Sequence, residues 1–207
     1  MNRRNYQKEL DSILEGLARD GRVPRLLLHS CCAPCSSYVL EYLSRYFYIT
    51  VLYYNPNIFP PSEYALRVRE QESLISRMDF VYPVAFLEGS YRPKTFYEAV
   101  KGLEGEPEGG KRCEKCYELR LLEAAKEAKA GDYDYFTTTL TISPLKSADK
   151  LNEIGRRLGT EYGVAYLPSD FKKRDGYKRS TQLSKEYGLY RQDYCGCVYS
   201  VRERSGE

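Results

Sequence analysis

The sequence lacks any apolar run approaching the roughly 20 residues that a membrane-spanning helix needs, so no helical anchor is expected. Its opening stretch, MNRRNYQKEL, is charged and has no apolar signal core, which predicts a cytoplasmic protein with no membrane partner. There is no internal repeat, and no low-complexity tract beyond a short Gly/Glu stretch, GLEGEPEGG. Tryptophan is absent, and histidine occurs once, at His29, so any role that needs an imidazole has one candidate. No glycine-rich phosphate loop follows the first predicted strand, which argues against ATP chemistry.

What remains is a 207-residue chain, 42% hydrophobic and 29% charged, which suits one soluble domain spanning 1–207. The net charge is only +3, but Phe171–Arg191 carries seven Lys/Arg against two acids, with Tyr177, Tyr187 and Tyr190 interleaved. Such a run grips phosphates and stacks on bases, or else is an ordinary solvated face. The nucleic-acid candidates within it are Lys172, Lys173, Arg174, Lys178, Arg179 and Arg191.

The seven cysteines are odd in number, so complete pairing is impossible, and in a reducing compartment they stay thiols unless they do redox work. They fall into three groups with none left over: Cys31, Cys32 and Cys35 in CCAPC, Cys113 and Cys116 in CEKC, and Cys195 and Cys197 in CGC. Small buried hydrophobes would not sort themselves in this way. CEKC at a helix start points two sulfurs in one direction, where the helix end favours thiolate. A structural zinc wants two regular knuckles and would leave three thiols over. A [4Fe–4S] cluster takes four thiolates at irregular spacing, and adjacent cysteines can each reach a different iron. The spacing therefore favours such a cluster on Cys31, Cys32, Cys113 and Cys116. Cys195 and Cys197 then form either a redox disulfide or two ligands of a second metal, with Asp170 or Asp193 as a third. His29 is a proton donor or a hydrogen-bonded core residue.

Strand and helix patterns alternate five times, which predicts a three-layer α/β domain on a parallel sheet. A helix is expected where Tyr6, Leu10, Ile13, Leu14 and Leu17 recur, and strands in RLLLHS, FYITVLYYN, VYPVAFLE, DYFTTTL and GVAYLP. Pro83 suggests an edge strand. Ser62 is the expected cap of the helix after NPNIFPPS, and Gly159 the expected end of SADKLNEIGRRLG. Segment 168–200 reads as irregular, basic and tyrosine-rich. Sites in such sheets collect beyond the carboxyl ends of the strands, where CCAPC, YYNPN, TTTLTISP and PSDF all fall.

HSCCAPCSS, YYNPNIFP with EYALR, CEKCYELRL, FTTTLTISP, DFKKRDGY and LYRQDYCGCVYS together resemble the cobalamin-independent epoxyqueuosine reductases in order and spacing, from about Leu26 to Ser200. The resemblance implies removal of the epoxide oxygen of epoxyqueuosine at the tRNA wobble position, an iron–sulfur cluster, and a fold similar to the PP-loop ATP pyrophosphatases with the phosphate loop replaced by a cysteine loop. It implies tRNA and an unidentified electron donor as partners, and Asp170, Asp193, Tyr194 and His29 as candidate acids. A second mononuclear metal on Cys195 and Cys197 is expected to be iron. Two rivals are a zinc-stapled RNA-binding module and a PP-loop-like tRNA thiolase.

Overall fold

Leu26, Leu27 and Leu28 are all fully buried, and an extended chain sends alternate side chains to opposite faces, so this strand must be covered on both sides. That is what the structure, a computed structural model describing residues 4–205, shows. Leu26 and Leu28 enter one core with Leu10, Leu14, Val39 and Leu40, while Leu27 enters a second with Leu121, Ala125, Leu151 and Leu158.

The strand is β1 (Arg25–His29), the centre of a five-stranded all-parallel sheet. Its partners are β2 (Tyr48–Tyr53), β3 (Val84–Glu88), β4 (Tyr135–Thr138) and β5 (Ala165–Tyr166), in the order β3-β2-β1-β4-β5. Helices α1 (Tyr6–Arg19) and α2 (Ala33–Leu43) cover one face. Helix α3 (Pro61–Arg77) follows β2, and the short α4 (Pro93–Ala99) follows β3. The long α5 (Lys111–Ala130) and α6 (Ala148–Tyr162) cover the other face. The chain ends in α7 (Gly176–Glu186) against α2, and then α8 (Val198–Ser205). No helix among the described residues is long and apolar enough to cross a membrane.

Most expected elements are present, with four corrections. Helix α3 begins at Pro61 with Pro60 at its cap, so Ser62 lies inside its first turn; proline suits that position because the first helical amides have no partner to lose. Helix α6 runs past Gly159 to Tyr162 and stops at Gly163, whose φ of 69° is the left-handed ending glycine permits. GVAYLP yields only a two-residue strand, although the Leu167 amide still donates to the Phe136 carbonyl at 2.9 Å. Segment 168–200 is not irregular throughout, since α7 lies within it. Pro83 immediately precedes the edge strand β3, as its lost donor requires.

The strand order reverses direction at β1, between β2 on one side and β4 on the other. Loops after β1 and β4 diverge there and open a crevice at the carboxyl edge. CCAPC leaves β1 at that point, with Cys32 at the cap of α2, and a single 3₁₀ turn, Thr139–Ile142, leaves β4.

Two glycine-to-alanine substitutions should move stability in opposite directions. At Gly155 an added methyl would sit 2.3 Å from the Tyr166 ring, so Gly155→Ala overpacks the α6–β5 contact and should cost about 1–3 kcal/mol. At Gly16 in α1 the nearest atom is 3.9 Å away, so Gly16→Ala should gain about 0.5–1 kcal/mol from helix propensity. Paired urea titrations read both.

Candidate functional site

The crevice is a cleft of about 470 Å³, and sulfur is its main chemical feature. Cys31 lies just past the end of β1 and Cys35 sits in the first turn of α2, so a strand-to-helix bend gathers the CCAPC thiols. The Cys31 and Cys32 Sγ atoms are 3.8 Å apart, and all three Sγ atoms lie within 4.8 Å of one another. The loop is pinned from the β4 side: the Cys31 amide donates to Thr139 Oγ1 at 3.3 Å, and that hydroxyl donates to Cys31 Sγ at 3.5 Å. The Tyr53 hydroxyl donates to the Cys31 carbonyl at 3.4 Å. All seven cysteines are free thiols.

These three thiols do not titrate alike. Hydrogen bonds from Cys32 and Cys35 hold Cys31 well below the ordinary thiol range, and the charges of Arg120 and Lys146 add to this. The donors move the other way: Cys32 is pushed up to about 12, first by its bond to Cys31, and Cys35 is also raised. Of the three, Cys31 is therefore the sulfur that gives up its proton most readily.

The CEKC and CGC groups meet at a different point. Cys116 and Cys197 pack with Phe96 and Val100 in one buried cluster. Burial raises Cys116 to about 11 and Cys197 to about 12. The Gly109 amide donates to Cys113 Sγ at 3.2 Å and the Ser200 amide to Cys197 Sγ at 3.4 Å. Cys195 lines the cleft with Cys31, Cys32 and Cys35, and its charge acts on Cys113 and Cys116. Among the described residues the tight metal-ligand group is Cys31, Cys32 and Cys35; Cys113 and Cys116 stand outside it.

Sequence reasoning missed the cations. Arg120 is 2% exposed; its Nε donates to His29 Nε2 at 3.3 Å and its Nη2 to Asn55 Oδ1 at 2.5 Å. Its charge acts on Cys116, Cys31 and Cys195. One signal was present, because Arg120 lies four residues after Cys116 and so on the same helix face. Lys146, from the loop after β4, lines the cleft and is raised above the usual lysine range by Cys195, Tyr117 and Cys31, against the opposing effect of burial.

The expected acids separate by position. His29 is fully buried, and burial first, then Arg120, lowers its pKa to about 3. It is neutral, accepts from Arg120 and faces Thr138 Oγ1 at 2.8 Å, which makes it a positioning group for Arg120 and not a proton donor to the cleft. Asp170 is paired with Lys172 and does not line the cleft. Asp193 and Tyr194 do line it. The basic run divides too. Lys172 pairs with Asp170, Arg174 with Asp11, and Arg179 with Glu41 and Glu186. Lys173 and Lys178 are exposed with no ion pair among the described residues, and Arg191 lies over the Tyr177 ring at the cleft, 5.3 Å from its centroid.

A family model described as epoxyqueuosine reductase QueH matches residues 26–203. An epoxyqueuosine reductase QueH from Staphylococcus epidermidis is 46% identical over 206 residues, covering 97% of this chain and 86% of that protein. One from Streptococcus pyogenes serotype M1 is 42% identical over 200 residues, covering 96% and 78%. One from Thermotoga maritima is 37% identical over 183 residues, covering 86% and 91%.

Cys35 supplies one of the two hydrogen bonds that lower Cys31, so Cys35→Ala should move the alkylation profile of Cys31 in metal-free protein to higher pH. Iodoacetamide labelling against pH, mapped by peptide mass spectrometry, checks this. An unmoved profile would show that Cys35 is not a donor to Cys31.

Proposed function

The chain belongs to the epoxyqueuosine reductase family, and on that footing we propose that it deoxygenates epoxyqueuosine in tRNA to queuosine. The observation that carries this reading is a cleft lined by Cys31, Cys32 and Cys35 from one end of the chain and by Asp193, Tyr194 and Cys195 from the other. Cys31, Cys32, Cys113 and Cys116 would hold a [4Fe–4S] cluster, as the spacing suggests. The chemistry of the donor set suits such a group: all four thiols are free, a backbone amide already donates to Cys113 Sγ, and Arg120 and Lys146 would offset thiolate charge, although Cys113 and Cys116 stand apart from the tight Cys31–Cys32–Cys35 group.

Turning an epoxide into an alkene breaks two C–O bonds, consumes two electrons and two protons, and releases water. The cluster, when bound, supplies electrons one at a time. The Cys195–Cys197 pair answers the remaining need. As a dithiol it gives up two electrons and two protons on forming a disulfide, which an electron donor must then reduce; as ligands it would instead hold a second metal, iron by expectation. Gly196, at φ 102°, lets the chain turn between these two sulfurs. Lys146 keeps its proton and steadies negative charge near Cys31 and Cys195. The Asp193 carboxyl and the Tyr194 hydroxyl, which line the cleft, would pass protons to the departing oxygen.

Substrate tRNA would approach over the rim formed by Tyr177 and Arg191, with the exposed cations taking phosphates and the ring taking an unstacked base. The chemistry is of a kind found in the cytoplasm, where thiols stay reduced.

Two tests follow from this reading. Cys113→Ser should lower bound iron and sulfide and bleach the visible absorbance. Cys197→Ser should keep the brown cluster and bind tRNA, yet form no queuosine when epoxyqueuosine-containing tRNA is reduced anaerobically and its nucleosides are weighed by mass spectrometry. Near-normal turnover in the second variant would make CGC structural, and full cluster occupancy in the first would remove Cys113 from the ligand set. In tRNA binding across a salt series, neutralising Lys173, Lys178 and Arg191 should flatten the slope by roughly one for each phosphate that no longer meets a cation. Neutralising the already paired Lys172, Arg174 and Arg179 should flatten it less, and equal effects from the two triples would refute this division.

A further inference from the structure

Arg67, in the middle of α3, is only 2% exposed although it lines the cleft, so each of its N–H groups needs an acceptor inside the protein or inside the cleft. Most of the guanidinium is accounted for. Nε donates to Glu63 Oε1 at 2.7 Å, one turn earlier on α3. Nη1 donates to the Cys195 carbonyl at 3.3 Å, and with the Gln192 amide oriented to suit, also to the Gln192 side-chain oxygen at 3.1 Å. The plane of charge lies over the Tyr194 ring, 5.3 Å from its centroid. Nη2 is buried and has no partner.

Two features make this arrangement specific. Arg67 reaches Gln192, Tyr194 and Cys195, the residues that lead into Gly196, and a methyl added to Gly196 would sit 2.9 Å from Arg67 Nη1 and 3.0 Å from Nη2. The CGC turn therefore closes directly onto the guanidinium. Neighbouring positions of α3 hold the same strap: Glu70 accepts from the Tyr190 amide at 3.1 Å, and Arg77 donates to the Tyr187 carbonyl at 2.8 Å. On its other side Arg67 shares the cleft wall with Cys32.

An orphaned, buried, charged donor costs more than a neutral one. Thiolates, inorganic sulfide and a departing oxygen are the anions that the proposed chemistry puts in this cleft. We propose that Arg67 is the positioning residue that fixes the Cys195–Gly196–Cys197 turn against Cys32, and that its free Nη2–H is the donor to the anionic sulfur held between them. The inference rests on the reductase reading for the nature of that anion; the clamp itself does not.

The test uses Arg67→Gln, Arg67→Lys and Gly196→Ala in the full chain. In metal-free protein, alkylation of Cys195 and Cys197 by iodoacetamide should speed up roughly tenfold in Arg67→Gln, the factor equivalent to about 1.4 kcal/mol of lost hydrogen bonding. Arg67→Lys keeps the charge but not the fork, and should fall between wild type and Arg67→Gln. In anaerobically loaded protein, Arg67→Gln should retain iron and sulfide but show a midpoint potential shifted to more negative values, because a donor to the reduced, more anionic state is gone. Gly196→Ala should loosen the turn with Arg67 still present. If Arg67→Gln does not fold, the same labelling and potential measurements on the other two variants decide the matter. Unchanged labelling in every folded variant overturns the clamp, and an unchanged potential overturns the donor role. A wild-type protein that takes up no iron and sulfide would overturn the reductase reading and the donor role with it, while the labelling result would still stand or fall on its own.

Discussion

A guanidinium sealed among thiols is the constraint around which the site is arranged. Arg120 is almost wholly buried, and a buried cation is tolerated only when its hydrogen bonds are met and countercharge stands nearby. Both conditions recruit distant parts of the chain. His29 ends β1, Asn55 follows β2, and Arg120 itself projects from α5. Asn55 in turn donates to the Ser30 carbonyl at 2.9 Å, which fixes the backbone one residue before Cys31. The cation that lowers Cys31 thus also helps to hold it in place, and removing either partner would strand charge in the interior.

The sheet explains why such a network can be built there. β1 is bracketed by β2 and β4 in register, His29 opposite Leu52 on one side and Thr138 on the other. The ends of β1 and β4 and the start of α2 are therefore held by the most buried part of the molecule. The CGC strap has no such scaffold. It is carried by α3 side chains, and by one backbone bond from the Phe59 amide to the Gly196 carbonyl at 2.8 Å. A sulfur group fixed by the sheet faces one held mainly by side chains, as the proposed redox role of Cys195 and Cys197 would require.

Much of this was legible from the sequence because its signals are local. The leucine run, the helix patterns and the cysteine groupings each lie within a few residues, and they predict the parallel sheet and the strand-end placement of CCAPC. The shortfalls share a cause. Arg120 meets His29 across 91 positions and Arg67 meets Cys195 across 128, and no periodicity encodes either contact. The sequence left His29 open between an acid and a core residue because an isolated imidazole titrates near neutrality; its complete burial beside Arg120, a tertiary fact, favours the core reading. The basic run read as uniform because the partners of Arg174 and Arg179 lie in α1 and α2. Ser62 and Gly159 misled because propensity marks a helix end only where packing agrees. Gly159 is needed inside α6 for a different reason, since a methyl there would lie 2.8 Å from the Val164 carbonyl.

Charge balance joins these points into one account of how the site is prepared. Arg67, Arg120 and Lys146 face a thiol group in which Cys31 is held well below the ordinary thiol range. Burial and their neighbours push Cys32, Cys35 and Cys116 the other way. Were these thiols to hold a metal as thiolates, they would release their protons and bring negative charge close to the three cations. In the proposed reaction the same cations would favour anionic species over neutral ones in the cleft, including the oxygen of an opening epoxide. Being fixed, they would stabilise that charge without reorganising, which is usually the largest single contribution a protein framework makes to such chemistry.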